Sequence, residues 1–154
     1  MLFDIPLQLS HGLLTVAGTQ VSVRYRERIP KAGPLLIVSN HRSFLDAPLL
    51  MAALDRSVRF ACHHYMSQVP VLKDMVNALG CFPLDAPGQR RQVFFQKATS
   101  ILQSQQPVGI FPEGANPMVR STQPHELGRF HRGFAHLALR MPIESLAILP
   151  VAIS

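Results

Sequence analysis

The sequence predicts an α/β domain: a mixed, largely parallel sheet flanked by helices. Short apolar runs alternate with amphipathic stretches in the order strand, helix, strand, helix, strand, helix, strand. That alternation calls for parallel strands joined by right-handed helical crossovers. The 154 residues, 47% of them apolar, suit one domain, 1–154, with a substantial core. No repeat or low-complexity tract interrupts it.

Taken in order, residues 1–18 (MLFDIPLQLSHGLLTVAG) are rich in Leu, Ile, Phe and Val. They read either as a segment lying in a membrane interface or as a plain helix packed on the core. Asp4 interrupts the start and no positive charge precedes the apolar stretch, so a signal peptide does not fit. Nowhere does the chain reach the ~18–20 consecutive apolar residues of a membrane span. Residues 19–26 (TQVSVRYR) alternate as a half-exposed strand does. The turn signal Gly33-Pro34 introduces a buried strand over 35–39. Residues 44–54 read as a helix, with Pro48 tolerated only near the first turn. A strand follows over 57–62, then a helix over 69–80 ending at Gly80. CFPL (81–84) is a short extended piece. Apolar residues at 93, 94, 98, 101 and 102 give 88–105 a helical period. A strand over 108–111, a helix over 131–141 and a strand over 146–154 complete the order. The chain stops inside that last apolar strand with nothing to cap it, as a product truncated at the C-terminus would.

The formal charge is +6, and twelve of the fifteen cations are arginine. A basic surface suits nucleic acid, an anionic membrane leaflet or a phosphate-bearing substrate. Arginine favours bidentate contact with phosphate or carboxylate. The cations are scattered, and no helix-turn-helix, aromatic platform or finger signature accompanies them, so nucleic acid is not the expected partner. Cys62 and Cys81 stand without paired spacing and read as reduced, buried thiols. The seven histidines include no H-E-x-x-H, and no metal site is predicted.

Chemistry concentrates where LLIVSNHRSFLD (35–46) leaves its strand. Ligands of open α/β sheets bind beyond the carboxyl ends of the strands, which is where Asn40 and His41 fall. Ser43 is the expected N-cap, and Asp46, three residues later, lies in the first helical turn. As a plain helix-start carboxylate Asp46 contributes a few tenths to ~1 kcal/mol. Its second role is to accept from Nδ1 of a His41 folded back over that turn, leaving Nε2 as a base. No G-x-S-x-G nucleophile elbow occurs, so such a pair suits direct activation of a substrate hydroxyl. A second strand-end turn, FPEGANP (111–117), brings Glu113 to the same edge. Glu113 either serves a ligand or holds an arginine or backbone amides of the turn. Gly114 lets a backbone approach closely and exposes amide donors. Farther on, Arg129 and Arg132 flank the start of the 131–141 helix, as solvated charges or as phosphate contacts. Phe94, Phe95, Met51 and Met75 read first as core and second as lining for an acyl groove.

With both turns in view, the sequence resembles the glycerolipid acyltransferases of the lysophosphatidate type. NHRSFLD (40–46) matches the family's N-H-x-x-x-x-D block. LGCFPLD (79–85), FPEGANP (111–117) and LPVAI (149–153) resemble three further blocks in the family's order. The resemblance runs over roughly residues 15–154. It implies a glycerol-3-phosphate acyltransferase-like fold and transfer of an acyl chain from acyl-CoA or acyl carrier protein to a lysolipid hydroxyl. His41 is then the general base and Asp46 its orienter. Asn40, Glu113, Gly114, Asn116 and Arg120 are expected at the substrate, with amides near Gly114 facing the oxyanion. It implies no metal or bound cofactor, and a peripheral position on the cytoplasmic face of a membrane. Two departures stand out: Ala86 and the pair Ala115-Asn116 occupy positions where the family usually carries arginines for the acceptor phosphate. Either Arg90, Arg91, Arg120 or Arg132 substitutes, or the acceptor is a lipid without phosphate. The remaining alternative is a lipid-binding module of this fold without catalysis.

Overall fold

A computed structural model describes residues 4–84, 90–114, 123, 125–141 and 143–154. Among these residues, five strands form one sheet: β1 Leu35–Ser39, β2 Arg59–Cys62, β3 Phe82–Pro83, β4 Val108–Ile110 and β5 Ala147–Val151. Their order across the sheet is β3-β2-β4-β1-β5, and each pairing of neighbours is parallel. Among the described residues, five α-helices accompany them: α1 Ile5–Val16, α2 Asp46–Leu54, α3 Pro70–Ala78, α4 Arg90–Gln103 and α5 Gly133–Arg140.

The uninterrupted apolar run of β1 has its cause in the layering. Successive side chains of a strand point to opposite faces. Leu35 and Ile37 join Leu50, Met51, Leu54, Val58, Phe60 and Leu79 in one core, against which α1 residues Leu7, Leu9 and Leu13 pack. Leu36, on the other face, joins Phe94, Ala98 and Leu102 of α4 and Leu137 of α5 in a second core. A strand covered on both sides needs no polar face. Phe94 and Met51 are thus core residues, and Met75 packs against the first core. Helix α1 lies on α2, with Ile5 and Val16 exposed near its two ends. No helix among the described residues is long and apolar enough to cross a membrane.

The expected cap of α3 is present in full. Gly80 adopts φ +69°, its N–H donates to Asn77 C=O (2.9 Å), and Cys81 N–H donates to Val76 C=O (2.9 Å). These are the two bonds of a Schellman motif. The expected strand over 19–26 is not formed. That segment is irregular and leads into a single 3-10 turn, Arg26–Arg28, with Tyr25 at φ 60°. An alternating pattern sets which side chains face inward, but a strand also needs a neighbour's backbone. Here β5 occupies the outer side of β1.

Gly109 of β4 lies beside Phe60 of β2, and a Cβ there would meet Phe60 Cε1 at 2.1 Å. Only glycine lets the Phe60 ring cross the strand. Gly109→Ala is expected to cost about 1–3 kcal/mol through overpacking. Urea unfolding measures it, and an unchanged midpoint would mean the ring shifts at no cost.

Candidate active site

The site assembles at the carboxyl edge of the sheet, where β1 and β4 end side by side. His41 Nδ1 lies 2.7 Å from Asp46 Oδ2. The same oxygen accepts the backbone N–H of Arg42 (2.5 Å) and of Ser43 (2.8 Å). The Asp46 side chain is 3% exposed and that of His41 18%. Burial alone raises the Asp46 pKa. The hydrogen bonds from His41, Ser43 and Arg42, with the charge on His41, outweigh burial and hold it below its ordinary 3.8. Asp46 is therefore ionised at neutral pH, so Nδ1 carries the proton and Nε2 is the acceptor.

Ser43 is not the N-cap. Helix α2 begins at Asp46, with Leu45 in the cap position. Ser43 Oγ instead accepts Leu45 N–H (3.1 Å) in a tight local turn. This turn lets the Asp46 carboxylate reach back over three consecutive residues. The half of the capping box in which the acid bonds the earlier amide survives.

Phe111 stacks on the His41 ring at 4.2 Å and 12°, and Phe60 stacks on Phe111 at 5.2 Å. The imidazole is thus held by Asp46 at its edge and by an aromatic column on its face. Gly109 leaves the room that this column needs.

Glu113 is fully buried. One carboxyl oxygen accepts His41 N–H (2.9 Å) and the other accepts Gly128 N–H (2.5 Å). Of its two expected roles, the hold on backbone amides is the one seen. A Cβ on Gly128 would stand 2.8 Å from Glu113 Oε2, so this contact also requires glycine. Two further bonds fasten the 126–131 segment to the same edge: Arg42 Nη2 to Glu126 C=O (2.5 Å) and His131 N–H to Pro112 C=O (2.7 Å).

The other expected site residues make protein contacts of their own where they are described. Gly114 adopts φ +67°, and its N–H donates to Phe111 C=O (3.0 Å), which closes a turn. The Asn40 amide donates to Ile153 C=O (2.8 Å) and accepts Ile153 N–H (2.7 Å), so it fastens the segment after β5 to the end of β1. Asn116 and Arg120, like Ala86, lie outside the described residues. Cys62 and Cys81 are free thiols; burial pushes their pKa values to about 11 and about 12.

The sequence offered Arg129 and Arg132 as phosphate contacts, but its spacing did not show that the 126–131 segment is fastened to His41 through Glu113. Arg129, Phe130, His131 and Arg132 line an open cleft of about 650 Å³ at the start of α5.

Comparison with known proteins adds the family. The acyltransferase family pattern matches residues 20–154. The chain belongs to the acyltransferase family. Among curated acyltransferases, the chloroplast 1-acyl-sn-glycerol-3-phosphate acyltransferase of Arabidopsis thaliana is 26% identical over 136 residues, 87% of this chain and 36% of the relative. That of Borreliella burgdorferi is 23% identical over 141 residues, 91% of this chain and 53% of the relative. The crystal structure of the 1-acyl-sn-glycerophosphate acyltransferase of Thermotoga maritima superposes with a TM-score of 0.64 at 18% identity. It covers 94% of this chain and 54% of that one, and establishes the shared fold. The chain thus spans about half or less of the length of the acyltransferases it matches.

Proposed function

We propose that this chain is the catalytic domain of a 1-acylglycerol-3-phosphate-type acyltransferase working at the cytoplasmic face of a membrane. The observation that carries the reading is the His41–Asp46 pair, 2.7 Å apart at the sheet edge, its carboxylate pinned by two backbone amides. His41 Nε2 takes the proton of the acceptor hydroxyl as its oxygen attacks the thioester carbonyl of acyl-CoA or acyl carrier protein. The C–O bond forms, the C–S bond breaks, and the proton passes from His41 to the departing thiolate. Asp46 stabilises the imidazolium formed between these steps. No acyl-enzyme arises.

The acceptor phosphate falls to Arg129 and Arg132. Both are exposed, both line the 650 Å³ cleft, and neither has an acidic partner among the described residues. Their segment is tied through Glu113 to His41 itself. They take over from the arginines missing at Ala86 and Asn116.

The test is transfer of labelled acyl groups from acyl-CoA to lysophosphatidate and to monoacylglycerol. Lysophosphatidate is expected to be preferred, and His41→Ala to abolish turnover. Arg129→Gln with Arg132→Gln is expected to raise KM for lysophosphatidate at least about tenfold, the loss of one to two charge-assisted contacts. Monoacylglycerol turnover stays as it was. Equal use of both acceptors by the unaltered chain would favour a lipid acceptor without phosphate, the reading that Ala86 and Asn116 motivate. No turnover with any acceptor would leave a lipid-binding module.

A further inference from the structure

In the proposed reaction His41 takes up a proton, and its ring then carries a positive charge where little water reaches it. The side chain is 18% exposed. A cation taken out of water is costly unless fixed partners replace its hydration shell. Asp46 does so at Nδ1, 2.7 Å away. The face of the ring meets a different group. Phe111 lies nearly parallel to it, with centroids 4.2 Å apart and planes inclined by 12°. The face of an aromatic ring is the negative part of its quadrupole, and it attracts a cation within about 6 Å of the centroid. A neutral imidazole has no net charge for that face to attract.

The stack is built outward from the core. Phe111 follows β4 directly, and its C=O accepts Gly114 N–H (3.0 Å) in a closed turn. The C=O of Pro112, next in the chain, accepts His131 N–H (2.7 Å). Behind Phe111 stands Phe60, buried at 2% exposure, with centroids 5.2 Å apart and planes inclined by 11°. Phe60 in turn takes the room that Gly109 leaves by having no Cβ. An aliphatic side chain at 111 would also cover the His41 ring. It would offer no negative face.

We infer that Phe111 is a positioning residue of the acyl transfer, which stabilises the protonated His41 ring through its face, with Phe60 and Gly109 keeping the stack in register. The inference rests on the reading of His41 as the general base. Two neighbours then share the imidazolium: Asp46 holds its Nδ1 edge and Phe111 its face. The charge appears only during turnover, so Phe111 acts on kcat and leaves substrate affinity alone.

The test places para-fluorophenylalanine and then pentafluorophenylalanine at position 111 of the full chain. Fluorine withdraws negative charge from the ring face while the ring keeps its shape. For transfer from acyl-CoA to lysophosphatidate, kcat is expected to fall in that order, by about tenfold with the pentafluoro ring. Both KM values and the circular dichroism spectrum stay as they were. Phe111→Leu, which removes the face altogether, is expected to lower kcat at least as far. A kcat indifferent to fluorination, with turnover still abolished by His41→Ala, would overturn this inference and leave His41 as the base. A KM that rises as kcat falls would also overturn it, because the ring would then be serving substrate binding. Turnover that survives His41→Ala, or no turnover with any acceptor, would remove the base and the role of Phe111 together.

Discussion

Asp46→Asn is expected to lower turnover by about 10²- to 10⁴-fold, the range that a positioned base contributes, with secondary structure unchanged. Three donors converge on one oxygen of Asp46: His41 Nδ1–H, Arg42 N–H and Ser43 N–H. The two backbone donors hold the asparagine oxygen in the same seat, because an NH₂ group there would face two N–H groups. His41 therefore keeps its tautomer, and the loss comes from the missing negative charge beside the imidazolium. A pH series separates this from misfolding. The folded-state pKa of Asp46 lies below 3.8. Its contribution to stability is therefore present above 3.8 and lost as pH falls through the lower folded value. Asparagine does not titrate, so the difference in urea midpoint between the two proteins should be full at neutral pH and shrink in acid. Wild-type turnover in this variant would reduce Asp46 to a helix-start carboxylate and remove the base from the mechanism.

Glu113→Ala is expected to be the most destabilising change at the site. It strips the acceptor from two backbone amides, His41 N–H and Gly128 N–H, at a position with no solvent exposure. Each amide left unsatisfied costs about 1–3 kcal/mol. The same change frees the 126–131 segment from its central fastening, so the rim and the His41 backbone lose their common support. Turnover at saturating acceptor should fall along with stability. Glu113→Gln is the discriminating variant. Its single oxygen serves one amide while its NH₂ faces the other, so it should retain part of the stability and less of the acceptor affinity. A Glu113→Gln protein with wild-type stability and wild-type KM would show that the two loops do not rely on this side chain.

Much of the fold was legible because its causes are local. The β1 run reads as a strand because it is apolar on both faces, and the α3 stop reads at Gly80 because only that residue accepts φ +69° at no steric cost. The strand over 19–26 misled because alternation reports side-chain facing and carries no information about a partner backbone. The capping role of Ser43 misled by two residues for a related reason. Serine bonds a nearby amide equally well before a helix or in a turn ahead of it, and the choice depends on where Asp46 is drawn.

What this sequence determined unaided is the pairing of His41 with Asp46. The two are five residues apart across a strand end and a helix start, so chain geometry alone brings them within reach. Tertiary structure decided the rest of the site. Glu113 reaches His41 across 72 positions and Gly128 across 15, and Asn40 reaches Ile153 across 113. In each case the partner contributes backbone N–H or C=O, which nearly every residue type carries, so its side chain need not announce the contact. Only packing the strands in their observed order selects which amides meet those two side chains.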